Sequence, residues 1–421
     1  MASKGKRILA ALLAIGICGV AACGGRGAAS SGKTGESVPE ETEVKNYWQD
    51  LKNFGIGVTE DGTMTLGGEK LYAAGVNCFD LVNGCFSDGY SAAGAKESLD
   101  VLSSFGVGVV RFDCGGYDYT SIGRYFDHKQ DFIDLLREVT DYAEKLEIGL
   151  IPSFFWLKNA VPDYFDEPLR SWGKPQSKTV GFLRSYTREI VSAIKDSKAV
   201  FGWEFGNEFN LDCDLPNAAE HMPPLPEGSS RTGRTEEDYL SASDLQYALS
   251  VFAEEISSLD DSGRMITSGN ATPRPSQYNQ FRYGTWEQDT PEEYGEITSF
   301  FVPAGVEAIS EHVYFTEQKT FGREISLEEY LQYATATAKK LKKAYFVGEW
   351  GGGDSTDYGY YRRIGNAFVD AGVQLVLLWN FNVGEGRVEY SFSHRTERGR
   401  EMLKIVGEMN ARYAGEYRTV G

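Results

Sequence analysis

The stretch Phe201-Gly202-Trp203-Glu204-Phe205-Gly206-Asn207-Glu208-Phe209 begins as an apolar run and ends in Asn-Glu. A strongly helical pattern precedes it (Phe182, Tyr186, Ile190 and Ile194), and a long polar loop follows. It reads as a buried strand whose last residues surface with a carboxylate. An acid at a buried strand end costs free energy unless it is paired or used.

The flanking chain repeats this helix-then-strand order. Residues 54–66 alternate around Asp61-Gly62, a hairpin turn signal, and Gly67-Gly68 leads into an apolar run at 71–79. A helix is expected over 98–105 before a strand at 106–112. Phe132, Leu135, Leu136, Val139, Tyr142 and Leu146 recur at helical spacing before a strand at 148–155. Leu245, Leu249, Phe252, Ile256 and Leu259 mark a helix before a strand at 265–268, and a weaker segment follows. A strand is expected at 308–315. Ser326-Leu327-Glu328-Glu329 then reads as a capping box opening a helix. A strand at 344–347, a helix at 360–371, a strand at 373–379 and a helix from 397 to about 413 complete the pattern.

Apolar strands alternating with amphipathic helices mean a parallel sheet covered by helices. About eight units over roughly 350 residues fit an α/β fold of the (β/α)8 TIM barrel type. The N-terminal hairpin is expected to cap the bottom of the barrel. A doubly wound open sheet is the structural rival.

The net charge of −19 argues against nucleic acid and anionic membrane surfaces as partners. Lys4, Lys6 and Arg7 precede an apolar run at 8–20 that is too short to span a bilayer as an ordinary helix. Val20-Ala21-Ala22-Cys23 follows and resembles the lipobox of bacterial lipoproteins, with Cys23 as the lipidated residue. The division expected is a signal peptide at 1–22, a flexible Gly/Ser/Thr/Glu tether at 23–45 and a catalytic barrel at 46–421. The protein is then exported and lipid-anchored, facing the outside. Cys78, Cys85, Cys114 and Cys213 match no zinc spacing; a Cys78–Cys85 disulfide and buried free thiols are both open readings.

Barrels of this kind place their chemistry at the C-terminal ends of the strands. There the sequence offers Asn77 and Asp80, Arg111 and Asp113, Trp156, Asn207-Glu208, His312 and Tyr314, Glu349-Trp350, and Trp379-Asn380. Glu208 and Glu349 close strands four and seven and face each other across a cleft. Glycoside hydrolysis requires such a pair: one carboxyl protonates the leaving oxygen, and the other attacks the anomeric carbon or activates water.

Trp203-Glu204-Phe205-Gly206-Asn207-Glu208 and Val347-Gly348-Glu349-Trp350-Gly351 resemble the acid/base and nucleophile motifs of the retaining (β/α)8 glycoside hydrolases of clan A. Within that clan the chain is most similar to family 5, the cellulases and β-mannanases, from residue 54 onward. The resemblance implies Glu208 as general acid/base, Glu349 as nucleophile, and Asn207 as the partner of the sugar 2-hydroxyl. It also implies Arg111 as the cation holding Glu349 ionised, Tyr314 as a hydrogen-bond donor to Glu349, and His312 beside the sugar and the acid. Trp379 is the implied platform under the sugar ring. Strand three departs from the pattern, ending Ser153-Phe154-Phe155-Trp156 without the usual His; Trp156 is a candidate sugar-stacking wall. The charge of Glu349 is expected to raise the pKa of Glu208.

Blander readings stand beside these. Glu204 shares a strand face with Glu208 and reads as a buried structural acid. Arg111 has an alternative as a core ion-pair partner of Asp113. His128, His221 and His394 read as structural or solvated. Trp172, Trp286 and Tyr283 fit either outer subsites or the core. The loops at 210–235 and 382–398 overhang the cleft, where substrate choice resides.

The expected function is retaining endo-hydrolysis of a β-1,4-linked glucan or mannan by a monomer without metal or organic cofactor. The alternatives are a non-catalytic surface carbohydrate-binding lipoprotein and a transglycosylase using the same residues.

Overall fold

A computed structural model describes residues 54–314, 319–352, 356–384 and 390–417. Cys23, the signal segment and the tether lie outside the described residues, as do parts of the loop at 382–398.

Eight parallel strands close into a barrel. They are β1 (Ala73–Asn77), β2 (Val109–Asp113), β3 (Gly149–Phe155), β4 (Gly202–Gly206), β5 (Met265–Thr267), β6 (Ala308–Val313), β7 (Ala344–Gly351) and β8 (Leu375–Trp379). β8 pairs in parallel with β1, from Leu375 opposite Ala73 to Leu378 opposite Val76, which closes the ring and excludes the open-sheet rival. The main outer helices are α1 (Ala93–Ser104), α2 (Lys129–Lys145), α3 (Lys178–Ile194), α4 (Ala242–Leu259), α5 (Pro291–Phe300), α6 (Leu327–Leu341), α7 (Tyr358–Asp370) and α8 (Glu397–Glu416). This is a (β/α)8 TIM barrel. No described helix is long and apolar enough to cross a membrane.

The N-terminal strands Ile56–Val58 and Met64–Leu66 pair antiparallel around the Asp61-Gly62 turn. Ile56 N donates to Phe201 O (2.7 Å), just before β4, and Met64 N donates to Gln374 Oε1 (2.7 Å), just before β8. Both anchors lie where barrel strands begin, so the hairpin covers the bottom of the barrel, away from the strand ends that carry the acids.

Three local expectations change. α1 starts at Ala93 rather than 98; its N-cap Ala92 makes no side-chain cap bond, so no capping residue marked the start. The weak segment after β5 holds a helix at Gln277–Tyr283 and then α5. The signal for α5 was present: Thr290 and Glu293 form a reciprocal capping box with Pro291 at the first helical position. At α6, by contrast, Ser326 Oγ caps Glu329 N (3.2 Å), but the Glu329 carboxylate binds Arg323 and not the cap backbone.

β7 carries the irregularity that matters most for the site. Residues 344–347 pair one-for-one with 308–311, and then Glu349 pairs with His312, leaving Gly348 as an extra residue. This is a β-bulge. Before it, Tyr345 points outward, its hydroxyl donating to Glu311 Oε2 (2.7 Å). Strict alternation would send Glu349 outward as well; the bulge turns it into the barrel. A Cβ on Gly348 would lie 3.0 Å from the His312 ring and from Ser310 Oγ. Gly348→Ala is therefore expected to destabilise by about 1–3 kcal/mol through overpacking. Chemical denaturation should show a lower midpoint at unchanged slope; an unchanged midpoint would mean the strand absorbs the methyl group.

Candidate active site

Arg111 sits at the centre of the upper barrel, with a fully buried side chain. Its Nε donates to Glu204 Oε1 (2.6 Å). One terminal nitrogen donates to Glu349 Oε1 (2.7 Å) and Asn77 Oδ1 (2.9 Å), and the other to Asn207 Oδ1 (2.8 Å). The alternative pairing with Asp113 is thus not made. Glu204 is the second counter-ion of Arg111 and is buried deep in the barrel. Trp156 closes the cluster from above: Arg111 Cζ lies 4.7 Å from its ring centroid. Trp156 is only 6 % exposed, so it shields the guanidinium and does not stand open as a sugar-stacking wall.

Glu349 accepts a second hydrogen bond, from Tyr314 Oη to Oε2 (2.6 Å). His312 Nδ1 lies 2.9 Å from Glu208 Oε1 and 3.5 Å from Glu349 Oε1. Ligand-capable atoms of Glu208, His312 and Glu349 all lie within 4.8 Å of one another. A divalent ion could bridge that spacing, but His312 Nδ1 and both Glu349 oxygens are already engaged in hydrogen bonds. The His312 side chain has no exposed surface, whereas that of Glu208 is 31 % exposed. His312 therefore acts on the two carboxyls from behind and does not reach out beside the sugar.

Burial dominates the electrostatics. It pushes Glu208 up to about 7, with Arg111 and Lys158 opposing and Asp212 adding to the rise. The expected cause, the charge of Glu349, is not the main one. Burial and the neighbouring Glu208 raise Glu349, while Arg111 and Tyr314 pull it back. Of the two, only Glu349 has both a guanidinium and a phenol donating to it, so Glu208 is the carboxyl that keeps its proton. Burial lowers His312 to about 4, which leaves the imidazole neutral near pH 7.

Trp379 lies at the rim and stacks on Trp156 at 6.0 Å between centroids, with Phe79 edge-on to Trp156 at 4.8 Å. Arg111 takes the Asn207 carbonyl oxygen, which orients the amide Nδ2 away from the cluster. Trp172 is core, packed on Phe205 and Phe209. Tyr283 and Trp286 are exposed, at 67 % and 57 %. Cys78, Cys85, Cys114 and Cys213 are buried thiols outside any disulfide among the described residues, which removes the Cys78–Cys85 reading.

Sequence reasoning gave no role to three contributors. Asn77 bridges Arg111 to the bulge, its Nδ2 donating to Gly348 O (2.9 Å). Lys158 pairs with Asp212 beside Glu208. Arg274 grips the turn that follows Glu208. Asn77 had a signal, being at a strand end; Lys158 and Arg274 stand in loops whose paths only the fold defines.

Neither a family model nor a curated protein sequence matches the chain. Solved structures match it in fold. The endo-1,4-beta-mannanase from Rhizomucor miehei is 14 % identical with a TM-score of 0.60, over 85 % of this chain and 99 % of that one. The endo-beta-1,4-mannanase from Thermotoga petrophila is 14 % identical with a TM-score of 0.56, over 84 % and 79 %. The glycoside hydrolase family 5 mannosidase from Rhizomucor miehei is 10 % identical with a TM-score of 0.56, over 86 % and 98 %. At these identities the likeness is one of fold: the chain shares its barrel with these enzymes along nearly its whole described length.

Proposed function

We propose that the protein is a retaining family 5 endo-glycosidase acting on a β-1,4-linked mannan, with Glu208 as acid/base and Glu349 as nucleophile. The observation that carries this reading is the approach of the two carboxyls to within 4.8 Å, with Arg111 and Tyr314 attending only one of them. Carboxyls about 5–5.5 Å apart suit a covalent double displacement, whereas inversion needs about 6.5–9.5 Å to admit a water. The fold likeness to mannanases favours mannan over glucan.

In the first step a Glu349 oxygen attacks the anomeric carbon. Glu208 gives its proton to the departing glycosidic oxygen. The Asn207 amide Nδ2 binds the 2-hydroxyl, and Trp379 underlies the ring. Glu349 loses its charge on becoming an ester, and Glu208, left as a carboxylate by the proton it gave, takes a proton from a water that attacks the anomeric carbon and displaces Glu349. That water releases the sugar with the same anomeric configuration it had in the chain.

Mannan, glucan and xylan scored for new reducing ends test the substrate, and mannan should respond most. Glu349→Ala should abolish hydrolysis, and Glu208→Gln should lower it by about 10²–10⁴; undiminished turnover by Glu349→Ala on every polysaccharide would sink the reading. NMR of the first-formed anomer should show retention, and the opposite anomer would refute double displacement.

The pH dependence follows from Glu208. Its raised pKa keeps it protonated below about 7, so kcat/KM should fall as pH rises through that value, by about tenfold per unit for one ionisation. That limb should vanish in Glu208→Gln; its persistence there would assign it to another group.

We also propose that Cys23 carries a lipid anchor, on the lipobox-like Val20-Ala21-Ala22-Cys23. In a bacterial host, labelled palmitate should enter the wild type and not Cys23→Ala; equal labelling would refute it.

A further inference from the structure

We propose that Arg274 is a positioning residue for Glu208: it holds the turn that keeps the acid in a strained backbone conformation and aimed into the cleft. The inference rests on the acid/base reading of Glu208.

Glu208 has φ 55° and ψ 25°, the left-handed region, although it carries a side chain. Such a residue costs of order 1–3 kcal/mol and persists only where its surroundings over-determine it. The surroundings here are the turn Phe209–Asp212 and the loop after β5. Glu208 N donates to Gly269 O (2.8 Å), and Leu211 N donates back to Glu208 O (3.0 Å). Asn210 exchanges two hydrogen bonds with the Ala271 backbone, both 2.9 Å.

Arg274 completes the grip. One terminal nitrogen donates to Asn210 O (2.9 Å) and Leu211 O (2.5 Å), and the other to Cys213 O (2.7 Å) and Gln280 Oε1 (2.6 Å). Nε donates to the same Gln280 oxygen (2.8 Å). All five donors of the guanidinium therefore go to carbonyl oxygens, three of them on the turn after Glu208. Gln277 Nε2 supports two of those carbonyls, Asn210 O (3.1 Å) and Cys213 O (3.3 Å). Lys158 holds Asp212 of the same turn.

A half-buried guanidinium with no carboxylate among its hydrogen-bond partners needs another reason to sit here. The reason is geometric. A planar fork with five donors converges on backbone carbonyls that an ammonium cannot reach together. The turn is thereby rigid against Glu208 relaxing to negative φ, which would swing its carboxyl away from His312 and Glu349.

The test separates aim from fold. Arg274→Lys keeps the charge and loses the fork. On mannohexaose its kcat should fall by about 100-fold, as misplacement of an acid by an ångström does, with KM within about twofold. Inactivation by 2,4-dinitrophenyl 2-deoxy-2-fluoro-β-mannobioside should proceed at the wild-type rate, because that leaving group needs no proton. Circular dichroism establishes the folded state; if Arg274→Lys does not fold, Gln277→Ala, which removes two bonds to the same carbonyls, takes its place with a smaller loss. Unchanged hexaose turnover would overturn the inference. So would turnover and labelling falling together in a folded variant, which is the mark of a merely structural role. If the wild-type enzyme itself is not labelled at Glu349, the two-glutamate reading fails first, and the inference with it.

Discussion

The buried guanidinium of Arg111 is the interaction on which the upper half of the barrel depends. It joins β2 to β1 through Asn77, to β4 through Glu204 and Asn207, and to β7 through Glu349. One cation between two carboxylates and two amide oxygens leaves little of its desolvation cost uncompensated. Removing one member of such a cluster leaves a buried charge unpaired, at about 3–5 kcal/mol. The arrangement also separates the acid within β4 from the acid just past its end. Glu204 lies deep, occupied by Arg111, while Glu208 lies four residues further on, at the rim and open to the cleft. Their chemistry differs because their partners do.

Both candidate acids are delivered by local departures from regular backbone. Glu349 faces inward because the Gly348 bulge shifts the side-chain phase of β7. Glu208 faces its partner from a left-handed residue just past the end of β4. Each irregularity has a specific support: Gly348 has no side chain to meet His312, and the turn after Glu208 is tied to the loop after β5. Strain gathered at a site and balanced by packing around it is a recurring feature of functional centres. His312 links the two, an imidazole that burial keeps neutral near pH 7.

Much of this was legible in the sequence. Apolar strands alternating with periodic helices specified the barrel, and the rule that loops at one rim carry the chemistry selected Glu208, Glu349, Arg111, His312 and Tyr314 for attention. The failures are instructive. The helices between β5 and β6 lie in a polar segment with a modest apolar stripe, so periodicity was weak even though the capping box at Thr290 was present. An aromatic at a rim invites a sugar-stacking reading of Trp156, yet its face is taken by Arg111 from the neighbouring strand β2. The cause of the Glu208 shift was misassigned, since a neighbouring charge is readable from residue types and depth of burial is not.

The sequence by itself determined the periodicities, and with them the order of strands and helices and the strand ends at which carboxylates stand. These are local properties, set by side-chain spacing of two or about 3.6 residues. Only the tertiary structure decided which way Glu349 points, how close it comes to Glu208, what Arg111 binds, and that Arg274 holds the turn after the acid. Those depend on contacts between residues tens to hundreds of positions apart and on a one-residue bulge that alternation does not reveal. Distance and burial, which set the protonation of the two carboxyls, exist only once the barrel has closed.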